Sequence, residues 1–351
     1  MLSRAEDVNN AASDPKTFSS AKGTLIDIDV SLLPLNLFHM DPPRHDVLRR
    51  TLSRVLTPSR VAALEPFIRE HVTSLIDEFK GDGRVDATTG FAQLVPSVVV
   101  CQLMGLPVED QQLFLKWNLD TLGGADFTSP AALQAYGQME EYWKQLVVGK
   151  QGNWTDDLVS HIFRAVEEDK ADLTDEEIWG FCSLLHDASQ NTTLNMIANG
   201  VIVLGRHPEA RHRLAEDPSL WGNALEELLR YVSPVQGLAR ATTRDVELHD
   251  TTIPEGDQVL LLYGSANHDE REFDDPETFD IDRKINRQWT FGQGIHFCMG
   301  AAVAKLETRI ALQCMVEALG DWEVDEAGLE RTQLVPTRGL AHTPISFEAV
   351  R

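Results

Sequence analysis

The sequence predicts a mainly helical protein with small β-sheets, folded as a single domain of residues 1–351. Apolar residues recur three and four positions apart over long stretches, which is the spacing of a helix face. Segments with a strand-forming pattern are scarce and lie late in the chain. No Pro-, Gly- or Ser-rich linker divides the chain into two halves. With 42% hydrophobic residues, the chain can bury a large core.

Two segments carry the clearest helical spacing. One is TPSRVAALEPFIREHVTSLIDEF, which begins at Thr57, and the other runs from Thr174 to about Leu204. Thr174 and Glu177, three residues later, form a capping-box pattern that predicts the start of the second helix. Gly205, followed closely by a proline, predicts its end.

Strands are expected only in the last third of the chain. The segment DVELHDTTIPEGDQVLLLYGSANHD contains two short β-rich runs around turn residues. The later segment TRGLAHTPISFEAV predicts a final hairpin. These runs are too few for a large sheet and predict small peripheral ones.

Charge and cysteine usage narrow the function classes. There are 31 Lys and Arg against 55 Asp and Glu, a net charge of −24, which argues against nucleic acid or an anionic membrane surface as partner. No apolar run approaches the roughly 18 to 20 residues that span a bilayer, and the start MLSRAEDVNNAASDP lacks a signal-peptide core, so we expect a cytoplasmic protein. The four cysteines are too scattered for a disulfide framework, and Cys101 and Cys182 read as small core residues.

Cys298 has a different setting, in the glycine-rich loop WTFGQGIHFCMGAAVAKLETRIAL. A helix is predicted to start just after it, where the helix dipole and free N–H groups favour a thiolate that can bind iron. Such a loop could instead cradle phosphate, but both glycine-rich phosphate patterns are missing. A zinc site would need three or four ligands at short spacing, and only His296 and Cys298 lie close together.

This loop resembles the haem-binding loop of the cytochromes P-450. The resemblance implies that haem b is the cofactor, that Cys298 is the proximal iron ligand, and that its thiolate pushes electron density onto iron to favour O–O cleavage. It also implies that His296 binds a haem propionate. The matching residues are Phe291, Gly292, Gly294, His296, Cys298, Gly300, Ala304 and Glu307.

Other segments match the family in the same order. Glu227 and Arg230 resemble its E-x-x-R helix, and Arg283 in PETFDIDR resembles the third member of that buried structural network. His45 and Arg49, four residues apart in HMDPPRHDVLRR, resemble its propionate clamp. Arg240 in LARATTRDVEL also resembles part of this clamp. Two carboxylates that enter an apolar pocket require cationic partners, so charge neutralisation is the implied role.

The resemblance spans nearly the whole chain but begins almost at Met1. Members of the family usually carry some tens of residues before the first matching motif, which form an opening helix and strands. The resemblance therefore implies a single domain that lacks this opening segment. Two explanations are open: the chain is trimmed, or the protein does without those strands.

On the oxygen side, the segment LLHDASQNTTLNMIANG departs from the family pattern. Thr192 matches the residue that contacts iron-bound dioxygen, whereas Asn191 occupies the place of an acid and cannot pass a proton. Asp187 replaces an apolar residue and is expected near the pocket, with pairing to His186 or a surface arginine as the structural alternative. Pocket candidates by resemblance are Leu184, Asp187, Ala188, Val235, Leu238 and Leu340.

The function implied is oxidation, usually hydroxylation, of a small or medium organic substrate by O₂ and two electrons. The chain has no flavin or nicotinamide fingerprint, so a ferredoxin and a ferredoxin reductase are the expected donors. A basic patch to receive the acidic carrier is predicted from Arg49, Arg50, Arg54, Lys305 and Arg309.

Two alternatives remain open. Asn191 is compatible with an atypical haem-thiolate enzyme, such as a peroxide-driven oxygenase, a coupling oxidase or a reductase. The other alternative is a non-catalytic haem-binding sensor.

Overall fold

A computed structural model of the chain describes residues 1–26, 28, 33, 35–53, 56–122, 128–150, 153–169, 173–332 and 336–350. Helices dominate, as predicted. They are α1 Ala5–Ser13, α2 Arg44–Ser53, α3 Pro58–Ala63, α4 Glu65–Phe79, α5 Leu94–Met104, α6 Gln111–Leu122, α7 Pro130–Lys150, α8 Leu158–Asp169, α9 Asp175–Arg206, α10 Pro208–Glu216, α11 Trp221–Val232, α12 Tyr263–Ala266 and α13 Ala301–Leu319. Among these, no helix is long and apolar enough to cross a membrane.

Helix α9 is the central element of the fold. It has 32 residues and packs against α5, α6, α7, α11 and α13. Its predicted capping box is confirmed: the Glu177 N–H donates to Thr174 Oγ1 at 3.2 Å, and the Thr174 N–H donates to Glu177 Oε2 at 2.9 Å. The largest hydrophobic cluster joins the second half of α9 to α4, α11 and α13.

The end of α9 differs from the prediction. Gly205 lies inside the last turn, and the helix ends at Arg206. A Cβ at Gly205 would stand 2.7 Å from Val324 Cγ2 and 2.9 Å from Trp322 Nε1. The glycine therefore marks close packing, and the proline that follows begins α10.

The segment from Thr57 forms two helices instead of one. Helix α3 is short and α4 begins again at Glu65, after a break at Leu64. Helix α4 packs along α13 and buries one apolar face. The apolar spacing was therefore read correctly, but the break was not foreseen.

The strands form small separate sheets. They are β1 Phe18–Ser19, β2 Arg84–Asp86, β3 Leu238–Thr242, β4 Val246–Leu248, β5 Thr251–Ile253, β6 Gln258–Leu261, β7 Trp322–Val324, β8 Glu330–Arg331, β9 Leu340–His342 and β10 Pro344–Phe347. Among the described residues, the sheet orders are β1-β3-β6, β2-β10-β7, β4-β5 and β8-β9, with antiparallel pairing. Strands β3, β7 and β8 lie outside the two predicted segments, and β1 and β2 contradict the expectation that strands occur only in the last third of the chain.

The predicted final hairpin is wrong. Strand β9 pairs with β8, whereas β10 lies between β2 and β7. Only Thr343 separates the two strands, which is too short for a hairpin turn. The chain instead passes from one sheet to the next, and the N–H of Thr343 donates to Asp86 Oδ1 at 3.0 Å.

Candidate functional site

A cavity of about 380 Å³ lies between α9 and the loop that precedes α13. Its walls are mostly apolar and bring together segments that are far apart in sequence. One wall is formed by Leu184, Asp187, Ala188, Asn191 and Thr192, and the opposite wall by Phe291, Gly292, His296, Cys298 and Gly300.

Cys298 points into this cavity. Its side chain lies deep in the protein but is accessible from the cavity, whereas Cys101, Cys182 and Cys314 are buried in the core. The Cys298 N–H donates to the Phe291 carbonyl at 2.9 Å, which closes the loop behind the thiol. Among the described residues, no group of three or more His, Cys, Asp or Glu side chains could hold a metal ion, so the zinc alternative finds no support there.

The electrostatic setting of the thiol has two opposing parts. Burial raises the pKa of Cys298, while the N–H groups of Gly300 and Ala301 and the charge of Arg49 act to lower it. The helix-terminus effect expected from the sequence is therefore present, but burial outweighs it. A further positive charge in the cavity, such as a metal ion, would favour the thiolate.

The glycines of this loop serve different purposes. Gly292 and Gly294 adopt positive φ values of 67° and 70°, which favour glycine. A Cβ at Gly294 would also stand 2.3 Å from the Ala12 carbonyl oxygen. Gly300 has an ordinary φ of −84°, so backbone strain does not explain it. It keeps the cavity wall beside Cys298 free of a side chain.

His45 and His296 form one end of a polar cluster beside the loop. Their ring centroids are 4.6 Å apart, and both Nε2 atoms are buried without a partner in the described structure. The other ring nitrogens are satisfied, by Asp46 Oδ1 at 2.9 Å for His45 and by the Met40 carbonyl for His296. Two nitrogen atoms therefore await a polar group that the protein does not supply.

Arg240 and Arg49 complete this cluster. Both line the cavity, and the Arg49 Nη2 donates to the Phe297 carbonyl at 2.5 Å. Burial and the nearby Arg240 lower the pKa of His296 to about 3, and a carboxylate at Nε2 would favour the protonated form, which can donate to it. Two guanidinium groups with two unpartnered imidazole nitrogens make a binding site for carboxylates.

Comparison with known proteins identifies the family. The family model described as "Cytochrome P450" matches residues 138–347. The chain is 37% identical over 336 residues to Cytochrome P450 130 of Mycobacterium tuberculosis, covering 93% of this chain and 83% of that protein. It is 35% identical to the Vitamin D(3) 25-hydroxylase of Pseudonocardia autotrophica, covering 99% of this chain and 87% of that one. The chain is a cytochrome P450 monooxygenase.

A solved structure supports this P450 assignment independently. CYP109E1 of Bacillus megaterium, in complex with testosterone, superposes with a TM-score of 0.89 at 29% identity, covering 99% of this chain and 91% of that one. Membership of the family implies a haem-thiolate cofactor. The predicted fold class is thereby confirmed.

The residues present fit a haem. Cys298 supplies a thiol that faces the cavity, and the two arginines with the unpartnered Nε2 atoms of His45 and His296 offer partners for two propionates. His45 stands just behind the cavity wall rather than in it. The sequence-predicted cofactor residues are therefore brought together in one place.

The cavity wall that faces the Cys298 loop is formed by α9. The Thr192 hydroxyl donates to the Ala188 carbonyl at 2.7 Å. Asn191 Oδ1 accepts a hydrogen bond from Asn195 Nδ2 at 2.5 Å, and Asn195 Oδ1 accepts the Leu340 N–H at 3.1 Å. The amide at position 191 is thus held by a ladder of hydrogen bonds instead of being free to turn.

Asp187 lines the cavity and is also paired. Its Oδ1 lies 3.0 Å from His186 Nδ1 and 3.3 Å from the Thr121 hydroxyl. The sequence offered two interpretations of Asp187, as a residue near the pocket and as a partner of His186, and its carboxyl group does both.

The predicted pocket residues lie on the cavity wall with one exception. Leu184, Ala188, Val235 and Leu238 line it. Leu340 is 2% exposed, belongs to the main core cluster and does not line the cavity in the described structure. Its side chain packs inward because its strand sits against α9, and Thr337, three positions earlier, lines the cavity instead.

Glu227, Arg230 and Arg283 form one buried ion network. Arg230 donates to both Glu227 oxygens at 2.7 and 2.9 Å, and Arg283 Nε donates to Glu227 Oε1 at 3.1 Å. Arg230 also donates to the carbonyls of Asn267 and Pro276, both at 2.8 Å. The network lies away from the cavity lining, as its predicted structural role requires.

Several cavity residues were missed by sequence reasoning. His39 lines the cavity, and burial together with Arg240 lowers its pKa to about 4. Tyr136 and Tyr263 also line it. His39 could have been noticed, because it precedes the DPPRH motif by two positions. The tyrosines carry no local signal, since only the fold brings α7 and α12 to the cavity.

The predicted basic patch is mostly engaged in other contacts. Arg49 faces the cavity, Lys305 pairs with Glu226 at 2.5 Å, and Arg309 pairs with Glu65 at 3.0 Å. Arg50 is exposed. Arg54 lies outside the described residues.

Proposed function

We propose that this P450 oxidises, usually by hydroxylation, a small to medium organic substrate with O₂ and two electrons from a ferredoxin and its reductase. The observation that carries the proposal is the cavity-facing thiol of Cys298 opposite Thr192 on α9. Haem b held by that thiolate supplies the oxygen chemistry, and the protein binds and orients what reacts.

Each side chain then has a defined task. Cys298 is the iron ligand, and His45, Arg49, Arg240 and His296 hold the propionates. Phe291, Gly292 and Gly300 shape the loop and leave room beside the thiol. Thr192, Asn191 and Asp187 act on the oxygen side, where Thr192 presents a hydroxyl, Asn191 presents an amide and Asp187 presents a carboxyl.

The substrate is proposed to be largely apolar and uncharged. The cavity lining supports this, since Leu184, Ala188, Val235, Leu238 and Met299 are apolar. Relatives act on or bind vitamin D(3) and testosterone, as their names state. Both compounds are therefore reasonable first probes, tested by the shift of the haem absorption band.

The electron donor and location are proposed on separate grounds. A ferredoxin fits because the chain contains no flavin or nicotinamide fingerprint of its own. The cytoplasm fits because all four cysteines are thiols, as expected in a reducing compartment.

The decisive experiment is the absorption spectrum of the reduced protein under carbon monoxide. Wild type and the control Cys314→Ala should show the band characteristic of thiolate-ligated haem, because Cys314 is buried in α13 away from the cavity. Cys298→Ala should lose it. Retention of the band in Cys298→Ala would contradict the assignment of Cys298 as the iron ligand.

A peroxide-driven oxygenase is the second candidate. The amide at position 191, fixed by Asn195, favours it because peroxide brings its own protons. Comparing product formation with a surrogate ferredoxin system and with peroxide alone separates the two functions. Turnover with peroxide only would select the second candidate.

A further inference from the structure

His186 and Asp187 form a hydrogen-bonded pair at the oxygen-side wall of the cavity. His186 is fully buried on α9, and its Nε2 lies 3.1 Å from the Phe114 carbonyl oxygen on α6. Its Nδ1 lies 3.0 Å from Asp187 Oδ1, and Asp187 lines the cavity. One imidazole therefore bridges a backbone carbonyl and a carboxyl group.

The partners of His186 decide how many protons the pair holds. A carbonyl oxygen only accepts hydrogen bonds, so Nε2 must carry a hydrogen. A neutral imidazole would then turn the lone pair of Nδ1 toward a carboxylate oxygen, and two acceptors repel. Either Nδ1 also carries a hydrogen or the Asp187 carboxyl does. In both cases the pair holds one proton more than a neutral histidine beside an ionised aspartate, and its net charge is zero.

The neighbours of the pair do not supply this proton. The Thr121 hydroxyl lies 3.3 Å from Asp187 Oδ1 but only 2.9 Å from the Trp117 carbonyl, which takes its single hydrogen. Tyr136 faces Asp187 from α7. Burial and the Asp187 charge raise its pKa, so it remains a neutral phenol. Among the described neighbours, the transferable proton therefore belongs to His186 and Asp187.

The residue beside Thr192 cannot take over this task. Asn191 Oδ1 accepts from Asn195, which leaves the N–H groups of its amide toward the cavity, and an amide neither gains nor releases a proton near neutral pH. Asp187 lies one turn earlier on α9, in the wall of the same cavity.

We propose that the His186–Asp187 pair supplies the protons that oxygen reduction consumes in this P450. This inference rests on the proposed function. Hydroxylation of a substrate RH needs RH, O₂, two electrons and two protons, and it yields ROH and water. Each proton leaves through the Asp187 carboxyl to water in the cavity and leaves the pair with a charge of −1. The Asp187 carboxylate, which is 14% exposed, then takes a replacement proton from solvent through the cavity and restores the hydrogen bond to Nδ1.

The variant Asp187→Asn removes the transferable proton of the pair but keeps the hydrogen bond to His186. Its amide can donate to Nδ1, so a neutral His186 keeps both hydrogen bonds, but no transferable proton remains. Thr121→Ala is the matched control, because it removes a neutral contact to the same oxygen. Both variants should bind haem and carbon monoxide as wild type does.

The first measurement is the proton count, by ¹⁵N NMR of histidine-labelled protein in the reduced, carbon monoxide-bound form. At pH 7.5, wild type and Thr121→Ala should show either two N–H groups on His186 or a single Nε2–H together with the C=O stretch of a protonated Asp187 in infrared spectra. Asp187→Asn should show only Nε2–H. A wild-type His186 with one N–H beside an ionised Asp187 would overturn the proposal.

The second measurement is oxygen reduction driven by NADPH through a surrogate ferredoxin system. In Asp187→Asn the rate should fall at least about tenfold and the slowing in D₂O should increase, since a positioned acid contributes roughly 10²-fold or more. Equal rates and isotope effects in both variants and wild type would overturn the proposal. Absence of the thiolate-type carbon monoxide band in wild type would instead count against the proposed function.

Discussion

At the scale of single residues, the buried charges of Glu227 and Arg230 are stabilised by their hydrogen-bond partners. Glu227 and Arg230 are both fully buried, yet every oxygen of the carboxylate accepts a hydrogen bond. The adjacent Glu226 pairs with Lys305 at the half-exposed surface. Neighbouring positions on α11 thus carry the same residue type in opposite environments, which makes them a matched pair for experiment.

Glu227→Ala should lower the free energy of unfolding by roughly 3 to 5 kcal/mol, because it strands two arginines in the interior. Glu226→Ala should change it by less than about 1 kcal/mol, as expected for a surface ion pair. Urea unfolding of the two variants measures the difference. Normal folding of Glu227→Ala with an altered product pattern would contradict the structural role.

Asp157 gives a residue-scale prediction of pH dependence. Burial opposes its ionisation, but hydrogen bonds from Lys150 at 2.6 Å, from Thr155 and from the Ser160 N–H at 2.8 Å outweigh it and lower its pKa. Because the pKa of Asp157 is lowered in the folded protein, its carboxylate stabilises the fold at pH values above the ordinary aspartate pKa of 3.8. This stabilisation is lost as the pH falls below 3.8.

Asp157→Asn should therefore lower stability by about 1 to 3 kcal/mol at pH 7, and the gap to wild type should narrow below about pH 4. Asp156→Asn is the control, because Asp156 is 84% exposed. Urea unfolding at several pH values tests this. A difference in the free energy of unfolding between wild type and Asp157→Asn that does not change with pH would show that the charge of Asp157 does not stabilise the fold.

At the scale of elements, α9 is shaped to let other backbone segments approach it. A Cβ at Gly180 would stand 1.8 Å from the carbonyl oxygen of Leu35. The residues that follow, Asn36, Leu37 and Phe38, line the cavity. Gly137 on α7 has no atom within 4 Å of its Cβ position.

Gly180→Ala should force residues 35–38 away from α9, at a cost of about 1 to 3 kcal/mol, and should change the affinity of ligands that shift the haem band. Gly137→Ala should instead raise stability by about 0.5 to 1 kcal/mol, because alanine favours a helix interior. Unfolding and spectral titration measure both effects. Unchanged ligand affinity in Gly180→Ala would show that this contact does not set the cavity wall.

At the scale of the whole molecule, local patterns predicted more than long-range pairings. The capping box at Thr174, the cysteine loop and the helical fold class are visible in the sequence because neighbouring residues determine them. The hairpin failed, because the partners of β9 and β10 come from distant strands. Leu340 was misplaced for the same reason, and Tyr136 reaches the cavity only through packing of α7. The His186–Phe114 contact spans 72 positions and leaves no local trace.

The net charge of −24 leads to a prediction for the whole chain. Repulsion between like charges destabilises a folded protein with a large net charge, and salt screens this repulsion. Raising the ionic strength from about 0.01 M to 0.15 M shortens the screening length from about 30 Å to 8 Å, so the melting temperature at pH 7 should rise by a few degrees. Calorimetry at both ionic strengths tests this, and an unchanged or lower melting temperature would contradict it.

The ladder from Asn191 through Asn195 to the Leu340 N–H joins two walls of the cavity. Asn199 adds a second tie, since its Nδ2 donates to the Arg338 carbonyl at 3.2 Å. A bulky molecule that pushes the segment 336–340 outward must therefore pull on the amide next to Thr192. The width of the cavity and the alignment of the reacting groups are set by the same hydrogen bonds. An oversized ligand would thus be rejected not only by lack of space but also by misalignment of the groups that serve the reaction.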